Sequence, residues 1–184
     1  MHEITANGTP LTVVEHDPQQ FAMQAELAMK SNQFEQAIAL FNEEVKAYPD
    51  NEQAWTGLAS AQVTVNQPDA ALVSVEKALQ VAPDNETALY LKGYAQLQKN
   101  NAAEAMNTFN YLLKVDPENS MAYYWLGEIY RQRDEVQTAF EYFRKTIEFN
   151  PKFKQAYLSI ADLFDKQGDA NNAARYRQAA AQIQ

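Results

Sequence analysis

Pro49, Pro83, Pro117 and Pro151 stand 34 residues apart each time, and a period of that length confines a chain to stacked copies of one small unit. Laying the sequence on this ruler produces columns of matched residue type. Ala37, Ala71, Ala105, Ala139 and Ala173 form one, and Ala25, Ala59, Gly93, Gly127 and Ala161 a second, both small in all five copies. A third holds Phe21, Trp55, Leu89, Tyr123 and Tyr157, large in every copy. A fourth holds Phe41, Val75, Phe109 and Phe143, then breaks with Arg177.

Such columns describe a helical hairpin. Small residues facing each other let two helix axes approach closely, and the large residues beside them fill the remaining space. Between the two helices falls a column of Asn32, Asn66, Asn100, Asp134 and Gly168, residue types that tolerate the left-handed conformation ending a helix. The prolines, followed by Asp50-Asn51, Asp84-Asn85 and Glu118-Asn119, end the second helix and supply an N-cap for the next.

Residues 120 to 153 carry the fullest pattern: Tyr123, Leu126, Gly127, Tyr130, Ala139, Phe143 and Pro151. With these the sequence resembles the tetratricopeptide repeat family, whose 34-residue pattern places aromatic, Leu-Gly, aromatic, Ala, Phe, Ala and Pro at fixed offsets. The resemblance implies an all-α fold, a right-handed α-solenoid of tandem helix-turn-helix units. Five repeats are assigned, at 18–51, 52–85, 86–119, 120–153 and 154–184, after an N-terminal arm of residues 1–17. That arm combines turn chemistry at Asn7-Gly8-Thr9-Pro10 with a short β-branched run at Leu11-Thr12-Val13-Val14, and is expected to be flexible or extended.

Some positions depart from the pattern. Gln24 and Lys92 take the place of Leu58, Leu126 and Ile160, and Glu44 and Thr146 the place of Ala78 and Ala180. Arg177, with Arg175, Gln178, Gln182 and Gln184, makes the last helix polar, as a terminal unit must be to solvate its outer face.

Catalysis finds no constellation here. The only histidines, His2 and His16, lie in the arm, and there is no cysteine, so neither a histidine-centred triad nor a zinc site can be assembled from the repeats. Neither GxGxxG nor GxxxxGKS/T occurs. Asp162 and Asp165, three apart, read as a solvated face rather than a metal site. No cofactor is expected, and the chain is read as a non-enzyme. A net charge of −9, with 15 basic residues scattered along 184, speaks against nucleic-acid binding and against a polybasic membrane patch. No run approaches a membrane span. The expected compartment is cytoplasmic by default, although a signal-trimmed exported protein fits the same sequence.

The function that the resemblance implies is a non-catalytic protein-protein interaction scaffold. In the family's geometry the first helix of each unit lines a concave groove, and the inward positions of units 3 to 5 supply the candidate partner-binding residues. These are Tyr90, Tyr94, Leu97, Met121, Tyr124, Trp125, Glu128, Arg131, Leu158 and Asp162. Their apolar and aromatic character is unusual for a solvated groove and marks an interaction site; the alternative is that Tyr90, Tyr124 and Trp125 fill the seam between adjacent units, with Trp125 expected to be partly both. Glu26, Glu128 and Asp162 share one repeat position, so the expected partner is a peptide or helix with an apolar or aromatic anchor and some basic character. A carboxylate clamp for acidic chaperone tails is ruled out: in its three registers the required Lys, Asn and Arg positions hold residues such as Ala22, Glu26, Thr87, Leu91, Gln155 and Ser159. Two other readings stay open, a self-assembling structural repeat protein forming homo-oligomers and the repeat portion of a larger enzyme or secretion complex.

Overall fold

The computed structural model describes residues 5–6, 9–10 and 18–183. Its helices follow one another as five hairpins: α1 (Pro18–Lys30) with α2 (Phe34–Ala47), α3 (Glu52–Thr64) with α4 (Pro68–Val81), and α5 (Glu86–Gln98) with α6 (Ala102–Val115). α7 (Ser120–Gln132) with α8 (Val136–Phe149) and α9 (Lys154–Lys166) with α10 (Ala170–Ala181) complete them. The first helices begin at residues 18, 52, 86, 120 and 154, so the proline ruler becomes a structural period. Ahead of α1, the two-residue strands β1 (Thr5–Ala6) and β2 (Thr9–Pro10) pair antiparallel, Thr5 opposite Pro10 and Ala6 opposite Thr9. The run Leu11 to Val14 lies outside the described residues.

The turn within each hairpin is the one its residue column requires. Asn32, Asn66, Asn100, Asp134 and Gly168 all have positive φ, between 56° and 77°. Around each, two reversed hydrogen bonds seal the helix end. In the first hairpin Gln33 N–H donates to the Ala28 carbonyl and Asn32 N–H to Met29, and the same pair recurs in the other four. Between hairpins, Asn51, Asn85 and Asn119 each accept backbone N–H groups from the first turn of the following helix, as expected of N-caps. Before α9 the pattern lapses, with Phe153 at the N-cap and no side-chain bond.

The core is a row of four clusters rather than one centre, each joining a second helix to the first helix that follows it. Ala37, Ala71, Ala105, Ala139 and Ala173 are fully buried in all five hairpins. At Gly93 a Cβ would lie 2.6 Å from the ring of Phe109, and at Gly127 2.6 Å from Phe143, so glycine there is what admits the phenylalanine. The aromatic tips of Trp55, Tyr123 and Tyr157 donate to the carbonyls of Pro49, Pro117 and Pro151 at 2.7, 3.1 and 3.1 Å, tying each first helix to its proline turn.

A second layer closes inside the hairpins. The paired positions are Gln62 with Ser74, Gln96 with Thr108, Tyr130 with Tyr142, and Phe164 with Tyr176. In hairpins two and three the hydroxyls donate to the glutamine carbonyls, each at 2.8 Å. In hairpins four and five the rings stack at 5.2 and 5.6 Å. The pair changes chemistry as a unit, because a buried glutamine without its hydroxyl would be left unsatisfied.

The departures also find their reasons. Lys92 pairs with Glu76 at 2.8 Å instead of entering the core, and Gln24 is exposed. Glu44 is 1% exposed and accepts from Asn51 Nδ2 at 2.9 Å through one oxygen, while its other oxygen has no partner. Arg177 folds back onto Asp162 and Asp165 of α9, satisfying the end of the stack with ion pairs.

Candidate functional site

First helices of neighbouring repeats approach one another in the early part of the stack, α1 with α3 and α3 with α5, whereas no such approach joins successive second helices. The stack therefore bends toward its first helices, and their free faces form the inner surface. Farther along, α5 and α7, and α7 and α9, stand farther apart. On α7 the positions equivalent to Thr56 and Gly57 of α3 hold Tyr124 and Trp125.

These aromatics form a continuous row. Tyr90 and Tyr94 stack at 6.2 Å along α5, Tyr94 meets Trp125 of α7 at 5.0 Å, and Trp125 meets Tyr124 edge-on at 5.2 Å. Tyr124 then stacks on Phe153 at 4.8 Å and touches Phe143 at 5.8 Å. Tyr90 packs against the second and third core clusters, and Trp125 against the third and fourth, so each bridges two repeats.

The expected groove residues divide into two sets. Tyr90, Tyr94, Leu97, Met121, Trp125, Arg131 and Leu158 are half-buried and Asp162 is exposed, which leaves them surface toward the inner side. Tyr124 and Glu128 are not on an open groove: they are 9% and 8% exposed and belong to the joint between the fourth and fifth repeats. The reason is what faces them on the fifth repeat. Phe153 covers the Tyr124 ring, and Ser159 Oγ donates to Glu128 Oε1 at 2.9 Å. Arg131 closes the other oxygen of Glu128, Nη2 at 2.6 Å and Nε at 3.1 Å, a charge-assisted fork.

Electrostatics follow this division. Burial foremost, then the Glu128 carboxylate, pushes the Tyr124 phenol above its usual pKa, against the opposing influence of Ser159 and Arg131. Burial likewise raises the Tyr90 phenol, opposed by the Trp125 indole. The Trp125 N–H itself is buried and meets no acceptor at full hydrogen-bond geometry. The Arg131 guanidinium is held protonated above its ordinary value, chiefly by its bond to Glu128. Asp162, the exposed carboxylate of the set, shares Arg177 with Asp165.

The sequence columns overlooked Phe153 and the bond from Ser159. Both lie one repeat beyond the residues they cover. The available signal was the absence of an Asn cap at position 153, which frees that place for a ring. Among the described residues no group of three His, Cys, Asp or Glu side chains gathers as a metal site would require, and no described helix is long and apolar enough to cross a membrane.

No curated protein matches the chain in sequence. Several solved structures resemble it. A crystal structure of MamA is 24% identical over 86% of this chain and 93% of its own, with a TM-score of 0.72. PilF of Pseudomonas aeruginosa is 23% identical over 91% of this chain and 76% of its own, with a TM-score of 0.80. YrrB, a TPR protein with an unusual peptide-binding site, is 18% identical over 91% of this chain and 87% of its own, with a TM-score of 0.65. At these identities the likeness is one of fold. Tetratricopeptide repeat models match residues 28–92, 62–128 and 122–153, and with the period, the turns and the packing already described they place this chain in the tetratricopeptide repeat family.

Proposed function

We propose that this chain is a non-catalytic scaffold that holds an extended or helical segment of a partner protein along the inner faces of α5, α7 and α9. The observation that carries this reading is the row from Tyr90 through Tyr94 to Trp125, contiguous at 6.2 and 5.0 Å, whose rings pack on the core clusters from one side and remain partly exposed on the other. Rigid aromatic surface flanked by Leu97, Met121 and Leu158 suits an apolar or aromatic anchor. Asp162 at the rim suits a basic residue beside that anchor. Tyr124 and Glu128 support the floor of the site and do not touch the ligand. YrrB, of the same fold, has a peptide-binding site.

Tyr94→Ala tests the proposal, because Tyr94 adjoins Trp125 and rests on the second core cluster only at its edge, with part of its ring exposed. Partner capture from the native lysate should fall at least tenfold, as expected for an anchor whose loss costs about 2 kcal/mol or more, while helicity by circular dichroism stays unchanged. An Arg144→Ala control, on the exposed face of α8, should leave capture intact. Equal capture by wild type and Tyr94→Ala would defeat the proposal.

A further inference from the structure

One period after another, the Glu44 column holds Ala78, Leu112, Thr146 and Ala180, each at 0–1% exposure. Ala180 is covered although no described element follows α10, so this position is closed from within the hairpin, by its first helix. In the first hairpin that cover is α1. Thr146, the other polar member, settles its hydroxyl inside its own helix by donating to the Tyr142 carbonyl at 3.1 Å. A carboxylate has no proton to donate in that way. One Glu44 oxygen accepts from Asn51 Nδ2 at 2.9 Å, and the other is buried with no partner.

Among the described residues no lysine or arginine pairs with Glu44. The charge that acts on it from α1 is the Glu26 carboxylate, of like sign. At the start of α3, Asn51 is neutral and the residue after it, Glu52, is again acidic. On α2 itself, Lys46 is engaged by Glu43 at 2.6 Å in solvent. Ionised Glu44 therefore has one neutral donor in a closed site, and a buried charge held so sparsely is costly.

The helix that closes the site is weakly anchored. α1 packs chiefly on α2 and touches α3. It buries Ala25 and Ala28, whereas Met23 and Leu27 are 67% and 64% exposed, so little apolar surface holds it down. End units of a repeat stack are also the first to open.

We propose that Glu44 is a proton-operated latch on the first hairpin: protonated, it lets α1 stay docked on α2, and ionised, it loosens α1 while the remaining hairpins keep their packing. The sign follows from linkage. Docking buries the carboxyl beside Glu26 and opening returns it to water, so the docked state binds its proton more tightly. Docking is then fullest below the open-state value of about 4.3 and weakens as pH rises through the docked-state value. The latch is independent of the inner-face site on α5, α7 and α9.

Hydrogen–deuterium exchange of the full chain tests the latch, read by mass spectrometry between about pH 4 and about pH 8 and corrected for the intrinsic pH dependence of amide exchange. In the wild type, opening of α1 should increase by about threefold or more across this range, the ratio that half a pH unit between the two states produces. α9, at the far end of the stack, should stay level. Glu44→Gln should hold α1 near its low-pH protection throughout. An α1 profile that is flat in the wild type overturns the proposal. So does an equal rise in Glu44→Gln, or a rise that α9 shares in full.

Discussion

Ser159 Oγ on α9 donates to Glu128 Oε1 on α7 at 2.9 Å, 31 residues apart in sequence and buried on both sides. With Arg131 holding the second oxygen, the carboxylate pins the fourth repeat to the fifth. Ser159→Ala removes one donor and leaves a buried carboxylate oxygen bare, which should cost about 1–3 kcal/mol. Glu128→Ala should cost at least as much, since Arg131 then loses its partner. Urea midpoints of the two variants and of the double variant measure the coupling, expected between about 0.5 and 3 kcal/mol.

Trp125 bridges two core clusters while facing the inner surface, so Trp125→Ala should weaken both the fold and partner binding. A loss of roughly 3 kcal/mol in stability is expected, at the low end for a truncated core aromatic because part of the ring is exposed. Tyr94→Ala should cost less than half of that. Thermal or urea unfolding of the two variants, run together, tells the joint residue from the surface one.

Gly127→Ala introduces a methyl group 2.6 Å from the Phe143 ring. Alanine favours a helix over glycine by about 1 kcal/mol, but overpacking costs typically 1–3 kcal/mol, and here the obstacle is a fully buried ring. The net effect should be destabilising. Gly127→Ala combined with Phe143→Val should recover part of the loss, and a denaturation midpoint that fails to recover would contradict the close approach.

Glu44 gives a pH dependence. Burial foremost, and the neighbouring Glu26 carboxylate after it, raise its pKa above the ordinary carboxylate value. A carboxyl whose folded pKa exceeds its unfolded value stabilises the fold fully below the unfolded pKa, and that contribution is lost as pH rises through the folded pKa. Glu44→Gln keeps the oxygen that accepts from Asn51 and removes the charge. It should therefore exceed the wild type in stability at pH 7. The advantage should vanish near pH 4, below the unfolded carboxylate value of about 4.3. Urea titrations of both proteins at several pH values check the convergence.

The hairpin pairs should behave as units. Tyr130→Gln and Tyr142→Thr each break a ring stack of 5.2 Å and should destabilise singly, while together they rebuild the Gln–Thr pair of the third hairpin. A double-mutant cycle should show a favourable coupling of roughly 0.5–1.5 kcal/mol. Strict additivity would contradict the pairing.

Most of the fold was legible because its determinants repeat. The column from Asn32 to Gly168 named the positive-φ turns, and the Ala37 column named residues that are buried in every copy. Both facts follow from contacts inside one hairpin, which the period copies. The inner face was legible only in part. Fixed offsets indicate that Tyr124, Trp125 and Glu128 lie near the inner side of α7, but not how much of each the next repeat covers. That depends on Ser159 having a hydroxyl and on a ring standing at Phe153 where other repeats have an asparagine cap. Arg177 was recognisable as a polar terminus, whereas its grip on Asp162 and Asp165 required knowing that α10 lies across α9. The Gln–Ser and Tyr–Tyr pairs were present in the columns, and pairing the columns with each other would have exposed them.

Those hairpin pairs bear on how such a chain can lengthen. Gln62 with Ser74, or Tyr130 with Tyr142, closes inside 34 residues, so a duplication of any one unit carries a complete pair with it. The contacts that cross between units, Phe41 with Gly57 or Glu128 with Ser159, are matched to a particular neighbour. A copied cassette inserted elsewhere keeps its interior at once and must remake its borders, so sequence drift in an array of this kind should concentrate at the seams.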